Sequence, residues 1–362
     1  MGSSPAAPTT SSTREHRKSE LPVGIWLLVV AAMVVFMVLL GGATRLTESG
    51  LSMVDWRPVT GWLPPLTDAA WEAAFADYKN FPEYKLVNRG MTLDEFKLIF
   101  GFEYAHRLWG RLIGLAFAVP FVWFALTGRV RRHRLPQLVG LFVLGGLQGA
   151  VGWWMVASGL VDRPDVSHLR LATHLGLAVA ILLALVWVAL DILRPRGRAW
   201  NGPATWLAGL GVLGFLQLLS GALVAGLSAG LAYNTFPTMN GVWVPSDAYV
   251  GTPLWHDLLW NPTSVQLNHR WGAYLLVAAT LATAWRIGWA RGTWIVAALA
   301  LQVTLGIATL LAQVPVWLGV AHQAGALALL LAVLWALHRS LEPAVQTENG
   351  DERLRPALRH LS

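Results

Sequence analysis

The chain has 362 residues, of which 55% are apolar and only 13% are charged, with a mean hydropathy of +0.50. Soluble domains carry roughly 25% charged residues, so this balance excludes an ordinary soluble enzyme and points into a bilayer. The absence of Cys excludes disulfide scaffolds, thiol nucleophiles and Cys-ligated metal or iron-sulfur centres, and the net charge of +7 is informative mainly through its placement.

About 20 mainly apolar residues cross a hydrocarbon core of roughly 30 Å. In chain order this predicts eight spans: Leu21–Gly41, Glu103–Thr127, Leu135–Ala157, His168–Asp191, Pro203–Ala229, Ser264–Ile287, Thr293–Ala312 and Val316–His338. The first run is longer than a signal-peptide core and lacks a convincing cleavage site after Gly41, so it reads as an anchor.

Short loops set the orientation. Arg129, Arg131, Arg132 and Arg134 follow the second span, Arg194, Arg196 and Arg198 the fourth, and Arg286 and Arg291 flank the turn after the sixth. Positive loop ends belong in the cytoplasm, and an even number of spans puts both tails, 1–20 and 339–362, on that side. The same placement accounts for the basic residues without a nucleic-acid partner. On the opposite face lie a long loop, 42–102, and a second, about 230–263, both rich in Trp, which read as interface anchors or a cap over the outer end.

Glu103-Tyr104-Ala105-His106-Arg107 resembles Gln266-Leu267-Asn268-His269-Arg270, and each opens the second span of a four-span set whose last span begins with a further histidine, His174 or His322. The chain therefore reads as duplicated: an N-terminal unit, 21–191, a linker, 192–202, and a C-terminal unit, 203–338. An even repeat keeps the two halves parallel, so the expected fold is all-α and polytopic, two four-helix bundles related by a pseudo-twofold axis along the membrane normal.

Ionisable groups inside a membrane are costly, and four histidines at matched positions near the outer ends of spans point to a shared task. Two imidazoles from two helices can supply both axial ligands of a haem, whereas zinc normally requires a third or fourth protein ligand. The predicted pairs are His106 with His174 and His269 with His322. Arg107 and Arg270, next to their histidines, are candidates for haem propionates or for interface anchoring. Glu103, one turn before His106, can exchange a proton or stabilise positive charge, while the matching Gln266 cannot. One half thus reads as catalytic and the other as electron-transferring. Gln148, Gln217 and Gln302 read as interhelical hydrogen-bonding residues rather than quinone ligands, and His16, His133, His338 and His360 as solvated. His168 and His256 are open to a supporting role.

Taken together, the Glu-x-x-His-Arg motif at 103–107, His174 in Leu171-Ala172-Thr173-His174-Leu175-Gly176, Asn268-His269-Arg270 and Ala321-His322-Gln323 resemble the landmarks of the haem A synthase family, through essentially all eight spans. The resemblance implies oxidation of the C8 methyl of haem O to a formyl group, giving haem A for cytochrome oxidase. It also implies substrate haem near Glu103 and a haem b in the C-terminal half. Some members carry a cysteine pair in an outer loop; this chain matches the cysteine-free, bacterial type. The partners implied are a haem O-producing farnesyltransferase, the cytochrome oxidase assembly machinery and an unidentified electron acceptor or donor, with homo-oligomer formation left open. The short basic tail favours a bacterial plasma membrane with haem sites near the outer face. Competing readings are a di-haem b electron-transfer protein without substrate conversion, a transporter and an assembly scaffold.

Overall fold

A computed structural model describes residues 10–56, 60–161, 163–195 and 199–341. Arg196 and Arg198 of the linker, His360 and almost all of the expected tail 339–362 lie outside the described residues, as does the side chain of His16. The helices are α1 (Thr10–Leu46), α2 (Asp68–Tyr78), α3 (Pro82–Leu86), α4 (Leu93–Leu126), α5 (Leu135–Val156), α6 (His168–Leu193), α7 (Gly202–Gly226), α8 (Leu254–Trp260), α9 (Pro262–Ile287), α10 (Trp289–Leu311) and α11 (Val316–Ser340). Among the described residues the only β pairing is an isolated bridge, Met239 to Val242.

Local chemistry explains several starts. Asn201 and Asn261 accept the free N–H groups opening α7 and α9, each followed by a proline in the first turn. Thr92 and Glu95 form a reciprocal capping box at the start of α4.

Among the described residues, seven helical segments are long and apolar enough to cross a membrane: Glu20–Leu46, Leu93–Leu126, Arg132–Val156, His168–Leu193, Gly202–Gly226, Trp289–Leu311 and Val316–Ser340. The chain is therefore an all-α, polytopic membrane protein. Helix α9, 26 residues long, is less apolar because its first turns carry Thr263, Ser264, Gln266, Asn268, His269 and Arg270. Of these, Thr263, Ser264 and Gln266 are buried.

Packing follows the apolar faces. Helix α1 packs on α4 and α6, and α5 on the same two; α7 packs on α9 and α11, and α10 on those two. Contacts of α6 with α7 and of α1 with α11 join the sets. Small residues permit the junction: a Cβ on Gly176 of α6 would stand 2.8 Å from Leu219 of α7. Nearer the opposite end from the histidines, His338 of α11 is 1% exposed, its Nε2 3.2 Å from Asp191 Oδ1 of α6 and its ring edge-on to Trp187. The expectation that His338 is solvated is thus overturned: the last turn of α11 packs against α6 instead of leaving the bundle. His133 is exposed, as expected.

About half of the segment expected as loop 42–102 is helical. It contains α2, α3, the last turn of α1 and the first ten residues of α4, because the capping box starts α4 at Leu93 rather than near Glu103. This overhang builds a small aromatic core outside the predicted spans, in which Phe96, fully buried, stacks on Phe75 at 4.9 Å and lies 5.2 Å from Tyr78. Phe96→Ala should cost about 3–5 kcal/mol of cap stability. Limited proteolysis should then cut between α2 and α4 faster at unchanged helix content; unchanged cutting would show that the cap does not depend on this ring.

Candidate functional site

A cavity of about 1070 Å³ is lined by residues of both helix sets. Every residue singled out from the sequence lines it: Glu103, His106, Arg107, His174, His269, Arg270 and His322. His174, His269 and His322 lie within about the first two turns of α6, α9 and α11, while His106 sits nearly four turns into α4 because of its overhang.

Each histidine faces a glycine of the neighbouring helix. A Cβ on Gly41 would stand 3.1 Å from the His106 ring, on Gly152 2.9 Å from His174, on Gly221 3.2 Å from His269, and on Gly306 2.7 Å from His322. These glycines are required by close approach. One turn before three of them stands a glutamine. Gln148 Nε2 lies 3.1 Å from His174 Nδ1 and donates to the His174 carbonyl at 3.0 Å; Gln217 Nε2 lies 3.1 Å from His269 Nδ1 and donates to the His269 carbonyl at 2.8 Å. Gln302 holds the corresponding position before Gly306, and Met37 replaces the glutamine before Gly41. The interhelical bonds expected of Gln148 and Gln217 are therefore present, and their partners are the histidines. A search for Gln-x-x-x-Gly, which recurs at 148–152, 217–221 and 302–306, finds this arrangement in the sequence.

His106 and His174 lie close enough that a charge on one would oppose a charge on the other, and the same holds for His269 and His322. His322 Nδ1 is buried without a hydrogen-bond partner in the protein.

Glu103 and Gln266 occupy matching places with different chemistry. Glu103, 3% exposed, accepts from Ser52 Oγ and the Met53 N–H, both at 2.7 Å, and from Arg107 Nη2. Gln266 is equally buried and donates to the Tyr233 carbonyl at 3.0 Å. Arg107 donates to the carbonyls of Met53 at 2.7 Å and Asp55 at 2.8 Å; Arg270 donates to those of Tyr233 and Thr235, both at 2.8 Å. In both sets one planar guanidinium fork grips two carbonyls, spaced two residues apart, of the outer loop over the cavity. Arg107 additionally stacks over Trp56.

A residue not anticipated from the sequence, Glu83 of α3, also lines the cavity and is 5% exposed. It accepts from the Tyr78 hydroxyl at 2.9 Å, and burial, assisted by the negative charges of Glu103, Glu48 and Asp165, pushes its carboxyl up to about 8. His168, 3% exposed, meets Trp260 edge-on at 4.3 Å, while His256 is exposed and stacks on the same Trp260.

Among the described residues no group of three or more His, Cys, Asp and Glu is arranged to hold a bare metal ion. The donor set fits a haem instead: two imidazoles per set on one cavity, a glycine clearing space at each ring, and a buried ring nitrogen on His322 left over. Fold and site together define a polytopic helical membrane protein whose cavity is lined by two His-Arg motifs and two further histidines. The chain belongs to the family of cytochrome oxidase assembly proteins, COX15-CtaA, whose family model matches residues 24–334. It is 50% identical to the haem A synthase of Parvibaculum lavamentivorans over 322 residues, covering 87% of this chain and 93% of the relative. It is 49% identical to that of Rhodospirillum centenum, covering 87% of each, and 48% identical to that of Paramagnetospirillum magneticum, covering 91% of this chain and 98% of the relative.

Two outcomes follow from this geometry. Gly306→Ala should displace the His322 ring and lower bound haem, read as Soret absorbance per protein, whereas Gly140→Ala, with nothing within 4 Å, should be silent. Equal haem in both would refute the glycine clearance argument. For Glu83 the sign is set by a carboxyl raised on folding: the stabilisation is fully present below its ordinary value of 4.5 and is lost as pH rises through about 8. Protease resistance of the cap should fall over that window in the wild type and lose this dependence in Glu83→Gln.

Proposed function

We propose that this protein is a haem A synthase, an oxidoreductase that converts haem O to haem A for cytochrome oxidase by oxidising the C8 methyl of haem O to a formyl group. The observation that carries the reading is a duplicated pair of histidines around one cavity with a single chemical asymmetry, Glu103 against Gln266, in a chain about half identical to haem A synthases. His106 and His174 would hold the substrate haem O and His269 and His322 a haem b. When bound, haem b supplies one-electron chemistry linking the site to an external electron acceptor or donor.

The residues divide the work by chemistry. Glu103 holds a carboxylate in a fixed direction: Ser52, Met53 and Arg107 restrain its oxygens, so it need not reorganise when positive charge develops near the substrate methyl. Gln266, neutral, only ties the helix to its loop. Arg107 and Arg270 keep both outer loops closed over the cavity, and their remaining N–H capacity suits propionates. Gln148 and Gln217 orient the rings they touch, as partners of ligand histidines do.

On this reading α9 is the eighth span, its polar first turns sheltered by the outer loop and its body packed between α7 and α10. The two helix sets are two four-helix bundles, 21–191 and 203–338, supported by the ring-like neighbour pattern within each and by the matching Arg107 and Arg270 forks. Arg129, Arg131, Arg132, Arg134 and Arg194 follow, and Arg286 and Arg339 lie in the last turns of, helices that begin on the histidine side. That distribution supports cytoplasmic termini in a bacterial plasma membrane, with the haem sites toward the outer face. The partners are the farnesyltransferase that supplies haem O and the oxidase assembly machinery that receives haem A.

A di-haem b electron carrier is the second reading, favoured by the full engagement of Glu103 with loop donors, as in a purely structural anchor. Extraction of bound pigments and mass measurement separates the two. Wild type supplied with haem O should contain haem A or its hydroxylated precursor. Glu103→Gln should retain haem b and accumulate haem O with conversion lowered about 10²-fold or more. His269→Ala and His322→Ala should each lose haem b. Haem b alone in wild type and Glu103→Gln would overturn the synthase reading, and intact haem b in both histidine variants would overturn the ligand assignment.

A further inference from the structure

We propose that Glu83 is a second proton-carrying residue of the substrate half, holding a proton between Glu103 in the cavity and the outer water. The inference rests on the reading of the N-terminal set as the place where haem O is oxidised, since removing hydrogens from a methyl group requires protons to move.

Three observations support it. First, Glu83 lies on the cap yet lines the same cavity as Glu103, with only 5% of its surface exposed. A carboxylate at that depth is normally matched by a cation. Among the described residues, the charged groups that raise the Glu83 carboxyl are Glu103, Glu48 and Asp165, all acids. Its burial and this surrounding charge keep it the neutral acid near pH 7, where Glu103, gripped by Arg107, has an ion-pair partner.

Second, its hydrogen-bond setting fixes the carboxyl without neutralising it. The Tyr78 hydroxyl donates to Glu83 Oε2 at 2.9 Å and accepts from Asn88 Nδ2 at 2.8 Å, so the amide aims the phenolic hydrogen at the carboxyl. Burial pushes the Tyr78 phenol up, which keeps it a donor. The α3 turn holds the backbone through bonds from the Val87 and Asn88 N–H groups to the Glu83 carbonyl.

Third, the acids form a gradient of exposure along the cavity. Glu103 and Glu83 are buried, whereas Glu48 and Asp165, which also line the cavity, are exposed. A proton can leave the neutral Glu83 acid for water at Glu48 or Asp165, giving the carboxylate, which then takes a proton arriving from the Glu103 side and returns to the acid. One proton enters and one leaves per cycle, and no electron moves.

Infrared difference spectra of the full-length, pigment-bound protein on either side of pH 8 test this. The wild type should lose a protonated-carboxyl band with a midpoint near pH 8, and Glu83→Gln, which keeps the shape of the neutral acid, should lack that band while retaining haem b. Its haem O conversion should fall about tenfold or more and lose the step near pH 8, whereas a merely structural carboxyl would be replaced by the amide without such an effect. Should Glu83→Gln lose the cap, Tyr78→Phe carries the test: without the phenol donor the band should shift in frequency and its midpoint should rise. A band unchanged in both variants, or wild-type conversion with a wild-type pH profile in Glu83→Gln, would overturn the proposal. Failure of the parent reading looks different: the wild type itself would not convert haem O, whatever the infrared band did.

Discussion

Each of the four cavity histidines is packed against a glycine of a neighbouring helix, and most of the site depends on that close approach. An imidazole in a bundle interior is expensive unless its nitrogens are ligated or hydrogen bonded. Glycine lets the helices close to the distance at which a glutamine one turn away reaches the ring and the backbone carbonyl of His174 or His269. Two requirements on one helix face, a donor and a gap, thus produce Gln-x-x-x-Gly. The exception is Met37 before Gly41, a thioether that lies beside Gly110 and has no amide donor to offer. The two halves therefore differ at this position of the recurring pattern as well as at Glu103, and both differences fall on the proposed substrate side.

The outer loops are tied to the same helices by the residue after the histidine. Because Arg107 and Arg270 are one position removed from His106 and His269, about 100° around the helix, they turn from the ring plane toward the loop and clamp its carbonyls. Closing the cavity and placing the ring are thus done by adjacent side chains. In the N-terminal set the clamp includes a buried ion pair, Arg107 with Glu103, and both partners have further hydrogen bonds, the condition under which a buried pair is tolerable. Glu83, in α3 of the cap, is the complementary case, a carboxyl pushed up by burial and by the neighbouring acids Glu103, Glu48 and Asp165.

The apolar spans and the recurring His-Arg motif were legible because each rests on a short-range pattern: apolar runs of helical length and a motif repeated at its own spacing. Glu103 and Gln266 were legible as an asymmetry, since aligned positions expose a carboxyl-to-amide change directly. The outer cap was not. Its helices are short, α3 having only five residues, and the aromatic core of Phe75, Tyr78, Phe96 and Phe100 forms only when α4 overshoots the bundle. His338 was misjudged for a similar reason: its polar neighbours in sequence suggested a solvated end, while its neighbours in space are Asp191 and Trp187.

Sequence by itself determined that this is a polytopic helical membrane protein with the motifs of its family, because composition, period and motif are local properties. Only the tertiary structure decided which glycine faces which ring, that Arg107 and Arg270 hold loop carbonyls, and that Glu83 joins Glu103 on one cavity. Those relations are contacts between segments far apart in the chain, and the ionisation of a carboxyl is set by what surrounds it in space.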